Sequence, residues 1–535
     1  MNVHCTTRTS AVRSGCRRSR GQFSIFLLLL LLLAPALAAA ADAAAKSPAF
    51  GFDQVMQQAR ALAAKPYQPP ARLADALNNM TYDTWRDIRF RPEQSIWRAE
   101  KLPFELQLFH PGLYYDRTVK LMVVDGDSQA EIEGKRSMFD YGSNAFAPQI
   151  PENVGVAGFR VHSAVKTPKY FDEFLVFLGA SYLRGIGRDQ GYGLSARGVA
   201  IDTATTNGEE FPWFRQFWLV KPKKGDTSLQ IYALLDGPRI SGAYAFRAKP
   251  GKETVIDVQS AVFLRAPVAK LGIAPLTSMY FFGENTSPRR FDDFRPEVHD
   301  SDGLQILFGN GEWLWRPLQN PPTLQVSSFE SQGLSGFGLM QRDRNYGSYE
   351  DLEARYELRP SAWIEPQGDW GAGRVELIQI PSDDEIHDNI VAFWVPATVP
   401  AAGEPLRMDY RLRWTDAERV KPPAGAVVST RTGAGKLKRS RLFVVDFDGP
   451  ALDKLPADAA VTATVSVGTG AELKDQRVYR NTVDGTWRLA FEVQAADPSA
   501  IEQVLPDKRP YVDVRAFLRV NADVVSETWS YAFKP

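Results

Sequence analysis

Cysteine is almost missing from this 535-residue chain: Cys5 and Cys16 are the two it has. Both lie in "RSGCRRSRGQFSIFLLLLLLLAPALAAAADAAAK" and the residues just before it, where arginines precede an apolar run from Phe23 to Leu33 and a tail of small residues. Ala36-Leu37-Ala38 has the A-x-A spacing of a signal-peptidase site, so residues 1–41 are expected to be a secretory signal peptide that is removed. The mature chain would then hold no thiol. That excludes disulfides, cysteine nucleophiles and thiolate metal ligands. The leader's apolar run is short for a membrane span and no later run is long enough. Removal also takes five arginines and no acid, leaving 58 basic against 63 acidic residues. A mildly acidic exported protein lacks the concentrated positive charge that nucleic acid requires. The expected location is the periplasm; Arg17-Arg18 fits a twin-arginine signal in part, and the Sec route stays equally open.

Chemical signatures are scarce too. Histidine occurs five times, and His4 leaves with the leader. There is no HExxH, no H-x-H pair and no EF-hand spacing, so no metal and no cofactor are expected. "GLSGFG" is out of register with a G-x-S-x-G nucleophile elbow. No glycine-rich phosphate loop follows a strand.

Aromatic rings and short β-rich runs are plentiful. "FDQVMQQARALAAKPYQPP" (52–70) has helical spacing ended by prolines, and "ARLADALNNM" suggests a second helix. Beyond it, "FELQLFH", "TVKLMVVDG", "EFLVFLGASY", "SLQIYALLDG", "ETVIDVQSAVFLRA" and "RVELIQIP" read as strands broken by Gly, Pro, Asn or Asp. A Pro- and Ala-rich break, "WVPATVPAAGEPLRM", separates these from a second β-rich region of six or seven strands. The expected class is mainly β. Residues 42–396 would form one β-sandwich, 397–407 a linker, and 408–535 an immunoglobulin-like sandwich.

Two acidic stretches stand out. "PEVHDSDGLQ" carries His299, Asp300 and Asp302, and "PSDDEIHDNIVAFW" repeats the His-Asp step at His387-Asp388. On a strand, adjacent residues point to opposite faces and cannot share an ion. Crowded carboxylates raise one another's pKa and suit the acid and base of glycosidic cleavage. Such sequences are also ordinary turn formers.

These stretches resemble a known family, the periplasmic glucan biosynthesis proteins OpgG and OpgD. The resemblance is carried by "TYDTWRDIRFRP", "LFHPG", "FLGASYLRGIG", "FWLVKP", "FFGEN", "FRPEVHDSDGL", "GEWLWRPL" and "DWGAGRVELIQIPSDDEIHDNIVAFWVP". It runs from Phe52 to the C-terminus and is dense up to Pro396; the arginine-rich leader leans it toward OpgD. It implies a galactose-mutarotase-like sandwich joined to an immunoglobulin-like module. It also implies action on the β-1,2-linked backbone of osmoregulated periplasmic glucan, as an anomer-inverting hydrolase or a transglycosylase. The two catalytic aspartates of the family match Asp300 and Asp388, with Asp300 the expected acid and Asp388 the expected base. Tyr182, Arg184, Trp213, Tyr346 and Trp370, aromatic or arginine groups inside matching blocks, are the expected sugar contacts. Partners would be the glucan, an inner-membrane glucosyltransferase and a second copy of the chain, reached by the basic loop at 427–443. The other reading is a non-catalytic glucan-binding scaffold.

Overall fold

Period-two alternation builds most of this chain into strands. Along Val512–Val520, Val512, Val514, Ala516 and Leu518 are buried and the residues between them are more exposed, as the pleat dictates. The computed structural model describes residues 50–534, apart from 74, 417–419, 457 and 499–508. The expected leader and its cleavage site lie outside the described residues. The protein is nearly all β, as its strand runs predict.

Two large sheets face each other across the main core. The first runs, in spatial order, Phe104–Phe109, Gly158–Thr167, Tyr170–Leu178, Tyr182–Gly185, Ser195–Arg197, Leu271–Ser278, Ile390–Pro396, Gly373–Gln379 and Gln325–Ser331. The second has at its centre Gly303–Phe308, Leu334–Met340, Ser361–Gln367, Asp409–Thr415, Thr254–Leu264 and Ile240–Lys249. Phenylalanines fill the space between them. The Phe177 ring lies 5.2 Å from the rings of Phe217 and Phe246 and 6.3 Å from that of Phe214, edge-on as ring quadrupoles prefer. Ile390–Pro396 is buried on both faces, so it reads as a continuous apolar run. Ile390, Ala392 and Trp394 enter the main core. Val391, Phe393 and Val395 join Ala200 and Ile378 on the other side.

The helix Phe52–Ala63 buries Val55, Ala59 and Ala63, spaced one turn apart. Its Gln54 side chain accepts the Gly51 N–H at 2.8 Å, and Ser241 Oγ donates to the Ala59 carbonyl. It ends just before Pro66, which cannot continue it. The second expected helix shrinks to Asp75–Asn78.

The C-terminal strands make a smaller sandwich. One sheet runs Ala426–Ala434, Ser440–Asp448, Trp487–Ala495, Ala471–Arg480; Val461–Val467, Val512–Val520 and Thr528–Phe533 face it. Between them lies a second core containing Phe443, Phe491, Leu518 and Trp529. The three-stranded half does not stand apart. Thr528–Phe533 pairs in parallel with Trp313–Pro317, Trp315 opposite Trp529, so one sheet runs through both cores. Pro405–Arg407, inside the expected linker, pairs with Thr254–Leu264. Asp409–Thr415, expected in the second module, sits between Ser361–Gln367 and Thr254–Leu264. We therefore propose the division between modules after Thr415, not at 397–407. The basic stretch 427–443 is the turn and flanking strands of a hairpin, not a free loop.

That hairpin docks on the first module. Glu284 accepts from Ser429 Oγ at 2.9 Å and from the Thr430 N–H, and pairs with Arg431 at 3.1 Å. Across a small cavity of about 40 Å³, Asp302 accepts the Arg342 and Asp343 N–H groups at 2.9 and 3.0 Å. Gly303 follows it because the Trp315 ring lies where a β-carbon would stand, 2.1 Å away. The Arg342 guanidinium sits 3.6 Å above that ring.

Two outcomes follow. Gly303→Ala must push Trp315 out from under Arg342 and should cost about 1–3 kcal/mol, read as a lowered denaturation midpoint with an unchanged m-value. Burial pushes Glu284 up from 4.5 to about 7, against the pull of Arg431, and Asp302 up from 3.8 to about 6. A carboxyl whose folded pKa is raised favours the folded state when protonated. That stability is complete below its unfolded pKa and is lost as pH rises through the folded one. Unfolding by urea at pH 5 and pH 7.5 should find the protein less stable at the higher pH. Glu284→Gln should flatten that decline; an unchanged slope would mean Glu284 titrates normally.

Candidate active site

Asp300 and Asp388 come from distant parts of the chain and are held by one short segment. Tyr280–Phe282 pairs with Val298–His299, Tyr280 opposite His299. The Asp300 N–H donates to the Met279 carbonyl at 2.9 Å. On the other side, the Asn389 side chain accepts the Tyr280 N–H at 2.9 Å and donates to the Tyr280 carbonyl at 3.0 Å. It also donates to the Ile380 carbonyl at 3.0 Å, closing the loop that carries Asp388.

The carboxylates differ in surroundings. The Asp300 side chain is 7% exposed and bonds the Arg359 guanidinium. Burial raises its pKa; Arg359 opposes the rise, and the nearby Asp388 charge adds to it. The Asp388 side chain is one-third exposed and faces Arg184 at 4.0 Å. Each aspartate therefore has a guanidinium partner, and the two feel one another. Arg359 lies 4.2 Å over the Tyr356 ring. The Tyr356 hydroxyl reaches Glu385 at 3.3 Å, and Glu385 pairs with Arg295 at 2.7 Å.

A cleft of about 490 Å³ opens beside Arg184, the partner of Asp388, and is lined by Phe109, Tyr114, Tyr115, Tyr182, Arg184 and Tyr192 among others. Tyr114 is 81% exposed. The Arg197 guanidinium sits 4.9 Å from the Tyr182 ring and 5.4 Å from that of exposed Phe211, and is fixed by Glu209 at 2.7 Å. Flat rings beside hydroxyl-bonding arginines suit sugar faces and edges.

The expected contacts divide. Tyr182 and Arg184 lie in the cleft, and Arg184 meets Asp388. Trp213 is mostly buried and lines a side chamber with Tyr114, Tyr115 and Phe211. Tyr346 opens a short turn and is partly exposed; among the described residues no hydrogen bond or ring contact joins it to either aspartate. Trp370 is a correction. It is 6% exposed, packs against Trp394 and Tyr410 in the main core, and donates its indole N–H to the Asp409 carbonyl at 3.1 Å. A ring so enclosed cannot stack on sugar. The sequence reading missed Arg359, Tyr356, Arg197 and the other tyrosines of the cleft, Tyr114, Tyr115 and Tyr192. "LFHPGLYYD" offered the aromatic pair Tyr114-Tyr115; nothing in the spacing marks Arg359.

His299 is wholly buried between Glu297 and Gln341, 2.9 Å from each, whereas His387 is exposed. No group of three or more His, Asp or Glu side chains is arranged to hold a metal ion among the described residues, and no described helix is long and apolar enough to cross a membrane.

The chain is 49% identical over 503 residues to glucans biosynthesis protein G of Ralstonia nicotianae, which covers 92% of this chain and 98% of that one. It is 48% identical over 501 residues to the protein of the same name from Pseudomonas paraeruginosa (91% and 93%) and 46% identical over 496 residues to that of Serratia proteamaculans (90% and 93%). These relatives bear the G name, so nothing in them carries the lean toward OpgD. Residues 50–533 match the family described as periplasmic glucan biosynthesis protein, MdoG. With a match that spans both cores and both aspartates, the chain belongs to the MdoG family of periplasmic glucan biosynthesis proteins.

Proposed function

We propose that this protein works in the periplasm on the β-1,2-linked backbone of osmoregulated glucan, as an anomer-inverting glycoside hydrolase or transglycosylase that needs no metal or cofactor. The observation that carries the reading is the unequal pair of aspartates, one of them joined through Arg184 to an aromatic cleft. Inverting cleavage requires one carboxyl that holds a proton and one carboxylate that draws a proton from water. Asp300, buried and with its pKa raised, suits the acid. Asp388, one-third exposed and facing Arg184, suits the base. Room for a water demands roughly 6.5–9.5 Å between the carboxyls in such enzymes. Tyr114, Tyr182 and Tyr192 supply ring faces for pyranoses, and Arg184 a donor to hydroxyls. The Arg359–Asp300 ion pair favours the reverse order of roles, with Asp300 ionised as the base. A protein that only gripped nascent glucan beside an inner-membrane glucosyltransferase, alone or as a homodimer, would use the same cleft without turnover.

Asp300→Asn and Asp388→Asn keep side-chain shape and should leave the fold and glucan binding intact. Each should lower turnover of linear β-1,2-glucan about 10²–10⁴-fold, whereas Asp383→Asn and Asp384→Asn should cost little. Chromatography of the products reads this; full activity in either variant at Asp300 or Asp388 would sink the assignment. A parent protein that binds glucan but never cleaves or transfers it would leave the scaffold reading.

The order of roles has its own readout. A fluoride leaving group needs no acid. With a β-1,2-glucosyl fluoride, the variant lacking the acid should recover turnover and the variant lacking the base should not. Recovery in Asp300→Asn supports Asp300 as the acid, and recovery in Asp388→Asn reverses the two roles. NMR of the first product should find the α-anomer; a β-product would require a close nucleophile instead.

A further inference from the structure

We propose that His299 is a permanently charged imidazolium that positions the Asp300–Arg359 pair through Gln341 and Tyr356. This rests on the glycosidase reading for its bearing on turnover, but not for its chemistry. The Gln341 amide N–H₂ donates to the His299 carbonyl at 2.9 Å and to the Tyr356 carbonyl at 3.2 Å. Both amide hydrogens are committed, which turns Oε1 toward His299 Nδ1, 2.9 Å away. That oxygen has only lone pairs to offer, so Nδ1 must carry a hydrogen. On the far side, Nε2 stands 2.9 Å from a Glu297 carboxylate oxygen, again an acceptor. Two acceptors across one ring call for two ring hydrogens, and an imidazole with both is a cation.

The surroundings agree. The ring has no exposed surface, and burial alone would strip its charge. Glu297, Asp302 and Gln341 outweigh that penalty, and the net direction is upward from 6.5. The Tyr280 ring stacks on the imidazole at 5.3 Å, nearly parallel, and Tyr349 meets it edge-on at 5.2 Å. A flat cation over a phenol ring is favourable. These are the groups around it: Glu297 immediately before its strand, Asp302 three residues on, Tyr280 on the paired strand, Gln341 and Tyr349 from the segments beyond, and Glu284, Arg342 and Asp343 around the shared cavity.

Charge at this ring has a structural consequence one step away. The Tyr356 carbonyl that Gln341 holds also accepts the Arg359 N–H at 3.1 Å. The Tyr356 ring is the floor under the Arg359 guanidinium, and that guanidinium pairs with Asp300. A neutral ring would leave one nitrogen lone pair facing an acceptor. Either Gln341 would turn and release Tyr356, or the Glu297 bond would break. His299 touches no substrate and is a positioning residue.

The test is NMR of full-length mature protein labelled at histidine Cε1 and arginine Nε. Burial pulls His110 down to about 4 and also lowers His162, so one buried charged signal is sought, assigned by its loss in His299→Gln. In the parent it should read imidazolium from pH 6 to 8.5. Glu297→Gln keeps the acceptor and removes the charge. It should render His299 neutral by pH 8, speed exchange of the Arg359 side-chain N–H, and lower kcat on glucan about tenfold with KM within twofold. Gln341→Glu should leave His299 charged yet give the same Arg359 and kcat changes, because the tether to Tyr356 is cut. A neutral His299 in the parent at pH 7 overturns the proposal. So does either variant with Arg359 exchange and kcat unchanged. Absence of turnover in the parent would sink the glycosidase reading alone, since the His299 and Arg359 signals still decide this one.

Discussion

One buried amide holds the two halves of this site together. Asn389 is 2% exposed and spends its side chain on backbone: the Tyr280 N–H and carbonyl, and the Ile380 carbonyl. In effect it adds a strand's worth of pairing to Tyr280 on the edge that His299 does not occupy. Asp300 and Asp388 are thereby set on either side of one residue, although 88 positions separate them in sequence. Leaving a buried amide unpaired costs about 1–3 kcal/mol per group. A partly formed clamp is therefore poor, and the two loops are placed together or not at all.

Around that clamp the charges are arranged in pairs, from the largely buried Asp300–Arg359 pair to the partly exposed Asp388–Arg184 pair. Asp300 has Arg359, Asp388 has Arg184, and Glu385 has Arg295, which also holds Asp293 and Asp351. A buried pair gains little net stability, because desolvation offsets attraction, but breaking one is costly. Such pairs fix direction more than they add strength.

How much of this is legible in the sequence depends on whether the cause is local. Strand alternation is local, and it shows plainly in runs such as Val512–Val520. Acidic crowding is local, and with the family resemblance it marks Asp300 and Asp388. Arg359 is 59 residues from Asp300, and only the fold brings it there. Trp370 misleads for the opposite reason. It is an aromatic inside a matching block, and Gly371 beside it is turn-like at φ +70°; yet the indole turns inward and packs against Trp394. The Pro- and Ala-rich stretch at 394–408 resembles a linker in composition. The apolar side of Asp409–Thr415, with Tyr410, Leu412 and Trp414 buried in the main core, is what overrides that reading.

The C-terminal module is tied to the site by more than chain continuity. Thr528–Phe533 pairs with Trp313–Pro317 in the sheet whose central strand Gly303–Phe308 starts just after Asp302, and the hairpin from Ala426 closes the polar cavity over Glu284. Glu284, Asp302 and His299 line one small space, and each has its pKa raised, the two acids by burial and the histidine by Glu297 against burial. The hairpin, Tyr280 and the strand before Asp300 all line that space, so they have to fit one another. Asp300 is thus fixed from two directions. Arg359 holds its carboxylate, and the Met279 carbonyl, beside the residue that pairs with His299, holds its backbone.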